Sequence, residues 1–402
     1  MAWIKPSAEV DDLVQLLASN TSPPSLTLLR AKRTLTSRTA VALARALAPN
    51  TSLLDLCIAG HDIGEEGSAA FADALRVNGT LVSLQIGHAQ FGDKALAALC
   101  RHGALGALRR LDLARRSLVD LAPLSRCMAV LEDLDLSHNA LADTGLHALA
   151  LGVPSAMRLK ALRLDCVGAT PGGAAMLALA LRSRRGQEID VLSLAGNASL
   201  GPAGVVVLGD APARALVLDG CAGGDEGALA IIEGRHRVHL SMNDCGVTAE
   251  AAAGMARALA AGAQPLLEAL SLARNGLMGD TGAEALAGAV ALARLDLSLT
   301  GATRIPAGLL SRVDALMFMG NEAGDEAALA SAIMQGSLRQ LSLSGCALAS
   351  PAALLDALHG GCPLATLELG GIALGEDDWR AVDALRARLP ALDVAVDKRA
   401  DA

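Results

Sequence analysis

The chain has no tyrosine, and its 402 residues include only three phenylalanines (Phe71, Phe91, Phe318) and two tryptophans (Trp3, Trp379). An aromatic ring buries about 150–250 Å² and normally fills space in a thick core. Five rings therefore speak against the two or three ordinary globular domains that the length alone suggests. Tyrosine chemistry is excluded, and a stacking platform for single-stranded nucleic acid has almost nothing to be built from. Lysine is scarce too, with Lys5, Lys32, Lys94, Lys160 and Lys398 set against 29 arginines. GC-rich coding, which also favours Ala and Gly, accounts for that bias. The net charge of −8 and pI near 5.5 have the wrong sign for affinity drawn from phosphate neutralisation.

Other absences narrow the field further. The eight cysteines, at 57, 100, 127, 166, 221, 245, 346 and 362, form no CxxC pair and so no zinc or dithiol-redox spacing. A reducing, cytoplasmic compartment is the simplest expectation. The first twelve residues, MAWIKPSAEVDD, lack an apolar signal region, and the longest apolar runs, such as 174–181, are far shorter than the ~20 residues a membrane span needs. Sequons at Asn20, Asn50, Asn78 and Asn197 are read as incidental. There is no P-loop, GxGxxG, HExxH, GxSxG or EF-hand loop. His236 and His239 sit close together but in a strand-like stretch, and a metal there is not expected. No cofactor or enzymatic activity is expected.

What the chain does have is a repeat, best seen at 131–158, LEDLDLSHNALADTGLHALALGVPSAMR. Its pattern is LxxLxLxxNxL followed by GxxxLxxx. Similar units begin near 53, 81, 108, 131, 159, 189, 213, 237, 267, 292, 313, 338 and 364, with degenerate ends at 25–52 and 389–397. LxL reads as a short strand whose alternate residues share a face: Leu134 and Leu136 point inward, Asp133, Asp135 and Ser137 outward. The following slot holds Asn139, Asn197, Asn275 or Asn321, and in other units Cys221, Cys245, Cys346 or Thr300. A buried amide there can satisfy backbone groups that a turn leaves free, and Cys can stand in as a small hydrophobe with a weak donor. A helix follows, with Asp or Thr capping its first turn and apolar residues such as Leu146, Leu149 and Leu151 at helical spacing. The units at 108, 213, 237, 292 and 313 are expected to be short, with room for a brief helix or 3₁₀ turn at best.

This unit resembles the ribonuclease-inhibitor-like subclass of leucine-rich repeat proteins, over about residues 25–397. The resemblance implies an α/β solenoid, a horseshoe of about 14 repeats with parallel strands on the concave face and helices on the convex face. The expected organisation is an N-terminal helical cap at 1–24, with Ser7 as its N-cap, a solenoid at 25–375, and a capping helix, last strand and short tail at 376–402. Solenoids need caps because a bare last layer would aggregate.

On the strand face, equivalent slots should form columns. The densest charge falls on units four to six: Arg110, Asp112, Arg115, Asp133, Asp135, His138, Arg163 and Asp165. These are the candidate partner-binding residues, weighed against a self-paired, solvated surface. Asp133 and Asp135 lie roughly 6–7 Å apart along a strand, near a glycosidase carboxylate spacing, but a solvated face is the default there. Met317 and Met319, flanking an inward Phe318, are a second exposed feature. The expected function is an intracellular protein-interaction scaffold whose partner, a protein rather than nucleic acid or membrane, sits on the concave face. Alternatives are a small-GTPase regulator resembling the Ran GTPase-activating proteins, although no family motif matches and the acidic tail is missing, and a substrate-recognition subunit or bacterial effector.

Overall fold

The computed structural model describes residues 10–28, 35–101, 105–184, 187–235, 237–289 and 291–397. Ser7 and His236 lie outside them. The chain forms two compact units, Met1–Ser199 with Ala211–Arg214, and Leu200–Asp210 with Ala215–Ala402. Both are built from the same strand–helix repeat, and fifteen strands are found among the described residues.

In the first unit the strands are β1 (Ser25–Thr27), β2 (Asp55–Ala59), β3 (Ser83–Gly87), β4 (Arg110–Asp112), β5 (Asp133–Asp135), β6 (Ala161–Arg163) and β7 (Ile189–Ser193). They pair in chain order, all parallel. The intervening helices are α1 (Val10–Ala18), α2 (Ser37–Leu47), α3 (Gly64–Val77), α4 (Gly92–Leu99), α5 (Ala122–Ser125), α6 (Ala142–Gly152) and α7 (Pro171–Arg182). The second unit holds most of β8 (Ala213–Val217), with β9 (His239–Ser241), β10 (Ala269–Ser271), β11 (Leu292–Asp296), β12 (Val313–Met317), β13 (Gln340–Ser342), β14 (Thr366–Glu368) and β15 (Asp393–Ala395), paired in order and parallel. Its helices are α8 (Gly201–Leu208), α9 (Gly224–Glu233), α10 (Ala249–Ala260), α11 (Gly279–Ala289), α12 (Ala307–Leu310), α13 (Glu326–Gln335), α14 (Pro351–Ala357) and α15 (Glu376–Arg388). This is the leucine-rich-repeat solenoid architecture.

The LxL leucines make the core. Leu111, Leu134, Leu162, Leu240, Leu270 and Leu295 pair in register and are all at most 3% exposed. Burying each such side chain is worth about 1.5–3 kcal/mol, and one leucine column behind the sheet replaces the thick aromatic core that the composition cannot supply. Helices close the layer from the other side: Phe71 and Leu75 on α3, Leu146 and Leu149 on α6, Val382 and Leu385 on α15 are buried. Leu151, expected inward, is 70% exposed because it falls off that face of α6.

The expected short repeats divide. α5 and α12 are four residues each, as anticipated. The units beginning at 213, 237 and 313 instead carry helices of 10, 12 and 10 residues. Repeat spacing counts loops as well as helix, and the unit begun at 237 runs a full 30 residues to the next start at 267. Where the helix is truly short, the next one closes over it. A Cβ added to Gly152 at the end of α6 would lie 2.5 Å from the Ser125 carbonyl that ends α5, and one on Gly336 after α13 would meet the Leu310 carbonyl that ends α12.

Candidate functional site

The residue after each outward strand position takes a left-handed backbone. Arg115, His138 and Cys166 have φ of 61°, 58° and 52°, and Gly196 has 70°. That turn frees backbone amides, and the next slot satisfies them. Asn139 Nδ2 donates to the Leu113 and Leu136 carbonyls at 2.9 and 2.7 Å, while its Oδ1 accepts from Arg116 and Leu118 N–H at 2.9 and 3.0 Å. Asn197, Asn275 and Asn321 repeat the arrangement. Cys245 and Cys346 donate from Sγ to Leu218 and Phe318 carbonyls at 3.0 and 3.1 Å. Two members of the slot escaped the sequence pattern: His61, whose ring bridges Leu35 N–H and the Leu28 carbonyl, and Arg116, which donates from Nε to the Ile86 carbonyl at 2.6 Å. A second amide position, just after the helix, also went unread. Asn50 and Asn78, both sequon residues, are buried and hold backbone groups of the preceding repeat.

Register places five of the eight candidate residues, Arg110, Asp112, Asp133, Asp135 and Arg163, in two columns on the face away from the helices, and Arg115, His138 and Asp165 follow the strands. Asp55, Ser83, Arg110, Asp133, Ala161 and Val191 are successive partners in one, and Cys57, Gln85, Asp112, Asp135, Arg163 and Ser193 in the other. Arg110 reaches past the small Ser83 to Asp55, with Nη2 to Oδ1 at 3.0 Å. Arg163 pairs with Asp133 on the neighbouring strand. Arg115 Nη2 lies 3.0 Å from His138 Nε2 at the turn edge.

The acids also serve the backbone. Asp112 accepts from Ala114 N–H, Asp135 from Ser137 N–H and Asp165 from Ala195 N–H, each at 2.9 Å. Ser137, expected outward, is only 5% exposed, and its hydroxyl accepts from Asp165 N–H. Gln85 donates to Asp112 and accepts from Cys57 Sγ, so a polar relay runs across β2, β3 and β4. Burial pushes the Asp112 carboxyl above its ordinary range, against the Ala114 hydrogen bond; the neighbouring Asp135 adds to the rise. The eight residues thus form one contiguous patch whose charges are held in place by partners on the same face. Nothing in it pairs a nucleophile with a base, and no metal-holding group of three His, Cys, Asp or Glu occurs among the described residues.

The second unit's face differs. Phe318 is fully buried, Met319 is 37% exposed, and Met317 closes one side of a cavity of about 490 Å³ with Val217, His239 and Arg294 on its walls. No described helix is long and apolar enough to cross a membrane.

A family profile described as Leucine Rich repeat matches residues 77–100, 128–150 and 263–287. Ribonuclease inhibitor from Sus scrofa is 28% identical over 249 residues, 59% of this chain and 49% of that protein. The chain therefore spans about half the length of the curated relative it matches. Among solved structures, a TLR13–ssRNA13 complex superposes with a TM-score of 0.59 at 14% identity, covering 95% of this chain and 54% of that one. A yeast Rad7–Elc1 complex covers 96% and 84% at 14% identity, with a TM-score of 0.49. The strand–turn–helix unit, its asparagine slot and its parallel register are those of a leucine-rich-repeat solenoid, and the chain is similar to ribonuclease inhibitor over the part that aligns.

Proposed function

We propose that the protein is a non-catalytic scaffold that holds a partner protein on the open face of β4, β5 and β6. The observation that carries this reading is the locked charge pattern there. Arg110 and Arg163 pair with Asp55 and Asp133 across the strands, and Arg115 leans on His138, which orients these side chains before a partner arrives and lowers the ordering cost of binding. Small neighbours (Ser83, Ala114, Ala161, Ala195) let a partner backbone approach. Fixed charges of both signs give specificity and orientation more than bulk affinity, which suits a surface without aromatic anchors.

The test is a charge swap. Asp133→Arg with Arg163→Glu keeps an ion pair between the two strands but inverts the field presented to a partner. Proteins captured by the wild-type chain from its native cells should be lost from the double variant, with thermal unfolding unchanged. An identical set of captured proteins overturns the assignment of this face.

A further inference from the structure

Two arginines of the first unit are buried among the described residues, and they differ in their surroundings. Arg116 is 6% exposed; burial pushes its guanidinium down, and the nearby carboxylates of Asp112 and Asp135 oppose that. Arg184 is 1% exposed, and burial pushes it down with no carboxylate in opposition. It stands just after α7, where Asn50 and Asn78 stand after α2 and α3. An amide in that place brings two N–H donors and an acceptor, whereas a guanidinium brings five donors and no acceptor. One nitrogen is engaged: Nη2 donates to the Leu159 carbonyl at 2.8 Å. Nε and Nη1 are buried without a hydrogen-bond partner. The negative C-terminal end of α7 offsets part of the charge, but a buried cation without a counter-ion is costly.

Arg184 lines an open cleft of about 630 Å³ at the start of β4 to β7, together with Arg109, Glu132, Arg158, Lys160, Glu188 and Asp190. Glu132 is occupied by Arg109 and by Lys160, the latter at 2.8 Å. Arg158 is exposed and has no carboxylate partner among the described residues. Glu188 and Asp190 are exposed too, and solvent and salt screen them far better than they screen a charge inside the wall. Cations outnumber carboxylates here by four to three, in a chain whose net charge is −8.

We propose that this cleft is an oxyanion site, which takes a doubly charged anion of the phosphate class against Arg158 and Lys160, with Arg184 in the wall as its fixed counter-charge. Arg184 is too deeply buried to touch the anion. It acts as a positioning residue through its field, which the low-dielectric interior leaves strong at the cleft surface. Arg158 and Lys160 stand on the solvent side and supply direct, charge-assisted N–H bonds; Lys160 uses one of its three donors on Glu132. Arg158 and Arg184 together present two positive charges without carboxylate partners, which a dianion matches and a single carboxylate or chloride does not.

Inorganic phosphate and the full-length chain test this. With sodium chloride holding ionic strength constant, millimolar phosphate should raise the melting temperature by about 1–3 °C, and acetate should not. Arg184→Met keeps the length and the apolar stem of the side chain and removes the charge. Without phosphate it should melt as high as the wild type or higher, because the uncompensated charge is gone. Calorimetric titration should find its phosphate affinity weaker by about tenfold or more. Arg158→Gln changes an exposed position and leaves the fold intact, so it carries the test even if Arg184→Met fails to fold; it should weaken phosphate by about threefold or more. A wild-type chain that responds to phosphate no more than to chloride or acetate overturns the proposal and leaves Arg184 to a buried water. So does a phosphate affinity that both variants keep.

Discussion

At the scale of single residues, one amide does the work of several contacts. Asn139 satisfies two carbonyls and two N–H groups at once, and an unmet buried polar group costs about 1–3 kcal/mol. Asn139→Ala should therefore lower unfolding free energy in urea by about 2–4 kcal/mol. Asn139→Cys should cost less, because Cys245 and Cys346 show that a thiol can keep one carbonyl bonded. Asp143 illustrates a second residue-scale device. Its carboxylate takes the N–H and hydroxyl of Thr170, at 3.0 and 2.5 Å, and Thr170 in turn caps α7; Asp225 does the same for Thr248 and α10. The acid expected to cap its own helix thus tethers the cap of the next. Burial acts to raise the Asp143 carboxyl, but the Thr170 and Gly173 hydrogen bonds outweigh it and hold it below 3.8. A carboxyl lowered in the folded state adds stability in full above its unfolded value, and that stability is lost as pH falls below about 3.8. Asp143→Asn should accordingly show a shallower loss of thermal stability than wild type between pH 5 and pH 3.

Elements in this fold are governed by how closely successive helices stack. Ala normally beats Gly in a helix by about 1 kcal/mol, so Gly→Ala should stabilise wherever the Cβ has room. Gly288 on α11 has nothing within 4 Å of an added Cβ, whereas Gly152 on α6 would strike the Ser125 backbone at 2.5 Å. Gly288→Ala should raise the melting temperature and Gly152→Ala should lower it, opposite signs for the same chemical change. The sequence could not separate these glycines. The close approach at Gly152 exists because α5 is short, and helix length is set by where the chain must turn back to meet the next strand. For the same reason the ten-residue helix α9 was not legible in the 24-residue spacing of its unit, whereas the 30-residue unit begun at 237 has room for the twelve residues of α10.

The whole molecule adds the pattern that no single repeat carries. Charges on the first unit's face come from β2 to β6 and are arranged by register. If that face binds as proposed, capture should weaken steeply between 0.1 M and 1 M salt, where the Debye length falls from ~10 Å to ~3 Å. Stability should barely move, since exposed pairs such as Asp133–Arg163 are worth about 0–1 kcal/mol. Single reversals at either position would put like charges together, so the double variant should recover whatever stability the singles lose. The repeat by itself determined the strand positions, the inward leucines, the residues sharing each column and the asparagine slot, because a period-two strand leaves no choice about which side chains share a face. Only the tertiary structure decided which charge meets which. Arg110 passes over Ser83 to reach Asp55 and Arg163 turns back to Asp133, because such contacts depend on side-chain reach, which is not written in the period of the repeat.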